Sequence, residues 1–286
     1  MSERLRLAVP NKGRLVEPTL ELLHDAGLVF EEHDRSLVVR VQNFALDILF
    51  VRTGDIIEFV GDGVADLGVT GQDLLSETGA ELPVLRLLGY GRCRLAAAVP
   101  VDSSYGTVAD LADARVATSH PETTRRFFAE RRIAVDVISL SGAVEVAPRL
   151  GLAEAIVDLV STGSTLAMNG LRPIEDVLVS EAVLVANPAA LATRGADLGA
   201  VETMLAAVLA ARGRKYLMMN APQERLAELE DLLPGLGSPS IIPLAHAGMI
   251  AIHAVVDADA VWELLPRLKA AGASGILVLP IEKIVP

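Results

Sequence analysis

The strongest constraint on the fold is an alternation of short apolar runs with helix-period segments along the first two-thirds of the chain. Residues 5–9 form an apolar run stopped by Pro10, the pattern of a buried strand. After Pro10-Asn11-Lys12-Gly13, a helix over residues 14–26 puts Leu15, Thr19, Leu22, Leu23 and Ala26 on one face and stops at Gly27. Strands are expected at 37–41, 47–51 and 65–70, with helices after Thr53 and over 71–77. The style repeats further on. Strands are expected at 94–99, 115–118, 133–139 and 154–160, and short helices at 107–112 and 143–150. A longer helix is expected from Pro121 to about 131, and another begins at 164. Residues 176–186 read as one long apolar strand able to cross between two lobes. Such alternation implies α/β layers with mostly parallel strands.

The last quarter differs. Residues 196–212 form a helix with Leu198, Val201, Leu205, Val208 and Leu209 inward, and Arg212-Gly213-Arg214 marks a boundary. Then come a strand (215–220), a helix (223–233), two strands (240–245 and 249–256) joined by a tight turn at Ala247-Gly248, a helix (258–271) and a strand (275–279). That order, βαββαβ, is ferredoxin-like.

Composition narrows the function classes. With 286 residues, 51% of them apolar, the chain can bury a sizeable core, and its length suggests about two domains. Cys93 is the single cysteine, which excludes an internal disulfide and a multi-cysteine zinc site. The 25 Lys and Arg are outnumbered by 37 Asp and Glu, giving a net charge of -12, so a nucleic-acid polymer is not the expected partner. The first residues show no signal-peptide pattern, and no apolar stretch has membrane-spanning character, so a cytoplasmic protein is expected. The five histidines lack metal-binding spacing, and neither a Walker A loop, a G-x-G-x-x-G turn nor a G-x-S-x-G elbow occurs.

The stretch EAIVDLVSTGST (residues 154–165) is the most informative. A buried strand carries Asp158 near its end, and Ser161-Thr162-Gly163-Ser164-Thr165 then opens a helix. Glycine's dihedral freedom, backbone amides and hydroxyls suit a phosphate monoester, with Asp158 placed for sugar hydroxyls. An ordinary helix cap in a Ser/Thr turn is the competing reading. Lys12 and Arg14 flank Gly13 just past the first strand, Arg52 ends another, and Gly71-Gln72-Asp73 ends a third. Parallel strands would converge these ends on one cleft, where ligands sit in open α/β sheets. A solvated turn is the alternative for the Lys12 loop.

These motifs resemble those of a known family. VPNKGRL (9–15), RTGDIIEFVGDGVADLGVTGQDL (52–74), VATSHP (116–121), GAVEVAPRLGLAEAIVDLVSTGSTLAMNGL (142–171), YLMMNAP (216–222) and SPSIIPL (238–244) are similar to segments of the long-form ATP phosphoribosyltransferases, which catalyse the first step of histidine biosynthesis. The resemblance implies a two-lobed core of the periplasmic-binding-protein type (type II), with lobes at 1–93 plus 183–211 and at 94–182. It also implies a histidine-binding, ACT-like regulatory domain at 212–286. The implied reaction joins ATP to phosphoribosyl pyrophosphate with Mg²⁺, under inhibition by L-histidine and also AMP, in a homo-oligomer from dimer to hexamer.

By resemblance, Ser161, Thr162, Gly163, Ser164 and Thr165 would hold the 5′-phosphate, Asp158 the ribose, and Glu145 the same ligand. Lys12, Arg14 and Arg52 would serve ATP or the leaving pyrophosphate, and Asp73 with Leu74 the nucleotide. Asn220, Leu236, Ser238, Ser240 and Ala273 would hold histidine. The resemblance identifies no protein ligands for the metal. Two departures stand out: Leu159 follows Asp158 where many phosphoribosyltransferases of other folds have a second acid, and His120 stands where many members carry tyrosine. A non-catalytic solute-binding module on the same two lobes is the rival expectation, because fold alone does not fix function. A subunit that has lost activity is a third.

Overall fold

The computed structural model describes residues 4–31, 36–161, 163–233 and 239–285. Its elements in chain order are β1 (Leu5–Pro10), α1 (Val16–Asp25), β2 (Val38–Arg40), β3 (Leu46–Val51), α2 (Ile56–Gly61), β4 (Leu67–Gly71), α3 (Gln72–Thr78) and β5 (Val84–Leu87). Next are β6 (Cys93–Pro100), β7 (Arg115–Thr118), α4 (Pro121–Glu130), β8 (Asp136–Ser139), β9 (Ala155–Val160), α5 (Ser164–Met168), β10 (Leu171–Ser180), β11 (Ala182–Ala186) and α6 (Pro188–Ala211). The chain ends with β12 (Arg214–Pro222), α7 (Leu226–Leu232), β13 (Ser240–Pro243), β14 (Met249–Asp257), α8 (Val261–Ala270) and β15 (Ser274–Pro280). It divides into two compact units, Met1–His24 with Leu28–Glu202, and Asp25–Gly27 with Thr203–Pro286.

The first unit contains two sheets, each the floor of a lobe. One has the order β2-β3-β1-β4-β11-β5, the other β10-β6-β9-β7-β8. The expectation of mostly parallel strands is corrected here, since both sheets are mixed. Only β1 with β3 and β4, and β7 with β8 and β9, pair in parallel. The antiparallel members β6 and β11 are those by which the chain enters one sheet from the other, so they arrive running against the βα units. The expected single strand over 176–186 is also two strands. At Glu181 the backbone leaves the ladder with β6 and exchanges hydrogen bonds with Gln72, Glu181 N–H to Gln72 Oε1 at 3.2 Å and Gln72 N–H to Glu181 O at 3.1 Å. An unbroken apolar run cannot reveal such a change of partner.

Other boundaries shift for local reasons. The edge strand β5 has one short, half-exposed pairing and no alternation to mark it. Residues 107–112 and 143–150 hold only 3₁₀ turns, Val108–Leu111 and Val144–Val146. The strand expected from 133 is paired only from Asp136. Helix α6 begins at Pro188, eight residues before the expected start, because the Asn187 side-chain oxygen accepts the Ala190 amide at 2.9 Å. It breaks helical geometry at Arg194, whose guanidinium lies 3.4 Å from Asp66.

Strand β6 is covered on both faces, which explains its unbroken Leu-Ala-Ala-Ala-Val run. Leu95, Ala97 and Val99 pack with Phe127 and Phe128 of α4, while Ala96 and Ala98 pack with Ile156 and Leu166. Each buried phenylalanine contributes on the order of 2–3 kcal/mol. In the other lobe α2 packs Ile56 and Val60 against Ala8, Leu49 and Val185. The close approach rests on Gly68 of β4, since a Cβ there would come within 2.7 Å of both Ile56 Cγ2 and Val60 Cγ2.

The second unit is a four-stranded antiparallel sheet, β13-β14-β12-β15, with α7 and α8 supplying Leu229, Leu264 and Leu268 to its core. Its connectivity is the expected βαββαβ. Among the described residues, no helix is long and apolar enough to cross a membrane.

Gly68→Ala is expected to lower stability by about 1–3 kcal/mol through overpacking. Adding Val60→Ala, which removes one of the two obstructing methyls, should recover part of that loss. A double-mutant cycle by urea denaturation checks this, and additive losses would refute the packing argument.

Candidate active site

Parallel pairing places strand ends on a common edge in each lobe. In the first lobe Val9 and Pro10 stand beside Phe50 and Val51, so the loops carrying Lys12, Arg14 and Arg52 leave the same edge. Strand β4, parallel to β1 on its other side, brings Gly71 and Asp73 to that edge. Lys12, Arg14 and Arg52 are exposed there, Leu74 is half-buried and Asp73 is buried. In the second lobe β7, β8 and β9 end together, delivering His120, the turn before Glu145, and the Ser161 loop.

Asp73 is the best-held group. The Ser180 hydroxyl donates to Asp73 Oδ1 at 2.6 Å and accepts the Asp73 amide at 3.0 Å. Arg14 Nη2 lies 3.9 Å from the same Oδ1. Gly71 is needed for this arrangement, because a Cβ there would sit 2.1 Å from Asp73 Oδ1. Burial pushes the Asp73 carboxyl up, but His120, the Ser180 hydroxyl and the Arg14 charge outweigh it and hold the carboxyl below its ordinary 3.8.

His120 crosses from the second lobe to the first. Its ring is buried, with Nδ1 at 3.0 Å from Ser119 Oγ and Nε2 at 3.6 Å from Asp73 Oδ2. That separation exceeds a hydrogen bond, so Nε2 is a buried polar atom without a hydrogen-bond partner among the described residues, as is Thr70 Oγ1 on β4. His120 also bears electrostatically on Asp158. Burial pushes the half-buried Asp158 carboxyl above 3.8; the Leu159 amide, donating at 2.8 Å, lowers it, the Glu145 carboxylate raises it further, and His120 lowers it. Glu145 reaches this neighbourhood from a 3₁₀ turn opened by Ala143, held in the left-handed region at φ 52°, a strained conformation for alanine.

The loop after β9 turns at Gly163, with φ 82°, and this glycine is the N-cap residue of α5. Ser161, Ser164 and Thr165 are exposed around this turn, and Thr162 lies outside the described residues. In the second unit Asn220 and Ser240 are exposed on the sheet face away from the helices, while the Ala273 side chain belongs to the core just before β15. Leu236 and Ser238 lie outside the described residues.

The site thus joins Asp73, Arg14, His120, Asp158 and Glu145, with Lys12 and Arg52 on the neighbouring strand ends. Sequence reasoning missed Ser180 and Thr70. Ser180 lies 107 residues from Asp73, and Thr70 ends a buried apolar strand. No local pattern marks either.

Comparison with known proteins places the chain in a family. The family model described as ATP phosphoribosyltransferase matches residues 52–209, and that described as HisG, C-terminal domain, matches residues 211–283. The chain belongs to the ATP phosphoribosyltransferase family. It is 45% identical to the ATP phosphoribosyltransferase of Gemmatimonas aurantiaca over 293 residues, covering 99% of this chain and all of the relative. It is 42% identical to that of Methanosarcina barkeri over 289 residues, with the same coverage. Among solved structures it is similar to the ATP phosphoribosyl transferase (HisG:HisZ) complex from Thermotoga maritima, with a TM-score of 0.63 and 30% identity. That match covers 71% of this chain and 96% of the other. The chain is a pentosyltransferase of histidine biosynthesis, and the solute-binding expectation is not supported.

The two carboxylates give opposite pH signatures. Folded Asp158 titrates above 3.8, so its ionisation weakens the fold as pH rises from 3.8 through the raised value. Asp158→Asn is expected to be more stable than the parent at pH 7, with the gain gone below pH 3.8. Folded Asp73 titrates below 3.8, so its contribution is complete above 3.8 and fades as pH falls through the lowered value. Asp73→Asn should be less stable at pH 7, with a smaller deficit in strong acid. Urea melts across that range check both signs.

Proposed function

We propose that the cleft between the two lobes transfers the phosphoribosyl group of phosphoribosyl pyrophosphate to N1 of ATP, releasing pyrophosphate. The supporting observation is the convergence of two unlike sets of strand ends. The first lobe presents the cations Lys12, Arg14 and Arg52 beside Asp73. The second presents a glycine turn with exposed hydroxyls beside Asp158. The loop of Ser161, Thr162, Gly163, Ser164 and Thr165 takes the 5′-phosphate. Asp158 accepts from the ribose hydroxyls, and Glu145 faces the same sugar. Asp73 and Leu74 position the nucleotide. Lys12, Arg14 and Arg52 neutralise the leaving pyrophosphate or the ATP phosphates.

N1 of adenine carries an unprotonated lone pair near neutral pH, so the site has no need of a strong base. Catalysis is then mainly positioning of two bound substrates and stabilisation of departing negative charge. Among the described residues, no three His, Cys, Asp or Glu side chains cluster as a metal cage. The Asp158 and Glu145 carboxylates fit the usual habit of Mg²⁺, which takes one or two carboxylates plus substrate phosphates. Bound there, Mg²⁺ supplies charge neutralisation of the diphosphate.

In this reading residues 1–93 with 183–211 and residues 94–182 are the catalytic lobes, and residues 212–286 are the regulatory domain. Asn220, Ser240 and the backbone around Ala273 receive L-histidine, together with Leu236 and Ser238. AMP is a further inhibitor, and the enzyme works in the cytoplasm as a homo-oligomer between dimer and hexamer.

Incubation of the protein with ATP, phosphoribosyl pyrophosphate and Mg²⁺ is expected to yield phosphoribosyl-ATP and pyrophosphate. A silent assay at saturating substrate refutes the reaction. Thr165→Asp puts a negative charge against the bound phosphate and should weaken phosphoribosyl pyrophosphate binding on the order of 100-fold, as read by calorimetry. Unchanged affinity would remove the phosphate from this loop.

A further inference from the structure

We propose that Glu77 is a positioning residue for the transfer: it caps a helix of the opposite lobe and so sets the spacing between the two halves of the cleft. Glu77 lies on α3 in the first lobe, and α4 belongs to the second. The Glu77 carboxylate accepts the Glu122 amide on Oε1 and the Thr123 amide on Oε2, both at 2.9 Å. Those amides belong to the first turn of α4, where helical partners are lacking. Helix α4 has no side-chain cap from its own N-cap residue, His120. Ser119, the nearby hydroxyl, points instead to His120 Nδ1. The acid that completes this helix therefore comes from the other lobe, about one turn beyond Asp73 on the same helix. A carboxylate at a helix start is favoured by both charge and hydrogen bonding.

The contact is reciprocal. Arg126 of α4 donates through Nη2 to the Ser76 carbonyl at 2.7 Å and to the Ser76 hydroxyl at 2.6 Å. Ser76 lies in the last turn of α3, where carbonyls lack helical partners. Thr123 Oγ1 adds a contact to Ser76 Oγ at 3.4 Å. A negative group thus meets the start of one helix while a positive group meets the end of the other.

The clasp acts on the site through short covalent paths. Helix α3 begins with Gln72 and Asp73, and α4 follows directly on His120. With the helices locked together, Asp73 and His120 are held 3.6 Å apart across the lobes. The remaining covalent links between lobes are the single-strand passages at residues 88–92 and at Glu181, which fix connectivity but leave the angle between lobes to such contacts. The inference rests on the reading above that each lobe holds one reactant. Glu77 touches neither; it sets the separation over which they must meet.

The test compares Glu77→Ala and Glu77→Gln with the parent. Hydrogen exchange at the amides of Glu122 and Thr123 is expected to speed up at least tenfold in Glu77→Ala. The kcat should fall about tenfold, with the Kd for phosphoribosyl pyrophosphate alone changing less than threefold. Glu77→Gln, which keeps one acceptor, should lie between and covers the case in which Glu77→Ala does not fold. Adding Ser76→Cys and Thr123→Cys to Glu77→Ala offers a covalent replacement for the clasp. Oxidised glutathione should then raise kcat and dithiothreitol lower it again, which a role confined to folding would not produce. Unchanged amide exchange, unchanged kcat, or equal losses in kcat and binding would overturn the proposal. If the parent chain itself transfers no phosphoribosyl group, the functional reading fails, and the exchange measurement still decides whether the clasp exists.

Discussion

Parallel pairing of β1 with β3 and β4, and of β7 with β8 and β9, is the constraint on which the site depends. A parallel ladder sends every strand out through one edge, so the loops that leave it are neighbours whatever their separation in sequence. Lys12, Arg52 and Asp73 come together for this reason, as do His120, Glu145 and the Ser161 loop. The antiparallel strands β6 and β11 do the complementary work. They carry the chain between sheets and leave the parallel edges free for chemistry.

The polar groups on those edges are not held for stability alone. Asp158 is half-buried with its carboxyl raised, which means the fold resists its ionisation. His120 Nε2 and Thr70 Oγ1 are buried without hydrogen-bond partners among the described residues. Ala143 keeps a left-handed backbone. Each is a local cost, and all but Thr70 sit on the second lobe's contribution to the cleft. Asp73 shows the opposite design, with Ser180, Arg14 and His120 lowering its carboxyl despite burial. One carboxylate is firmly anchored and the other is left with unmet demand. That contrast separates a group fixed in advance by the fold from a group the fold leaves to be completed.

Much of this was readable in the residues, for identifiable reasons. Strand ends followed by Gly, Lys, Arg or Asp announce themselves locally, and so does a Ser/Thr/Gly turn after a buried acid. The βαββαβ unit was legible because β12 and β14 alternate cleanly against amphipathic helices. What escaped were features defined by a change of partner. The break at Glu181 lies within a continuous apolar run, and β5 is too short and exposed to show a period. Ser180 becomes part of the site only through a side-chain bond to a residue 107 positions away. The mixed strand directions escaped as well, because a periodic pattern encodes which face is buried and not which way the neighbour runs.

A chain with net charge -12 that handles two polyphosphates must make its field local. Screening at physiological salt limits exposed charges to a range of about 8 Å, so the overall excess of acid has little effect inside a cleft. What matters there is which charges the strand ends deliver. The first lobe places three exposed cations at its edge and, among the described residues, partly neutralises only Arg14, against Asp73. On the second lobe several arginines are spent on structure: Arg115 on Glu154, Arg131 on Glu175, and Arg126 on the end of α3. Positive charge is therefore concentrated on the first lobe's edge. The second-lobe edge presents instead the carboxylates of Asp158 and Glu145. The electrostatic difference between the lobes follows from that placement of charge and requires no basic surface overall.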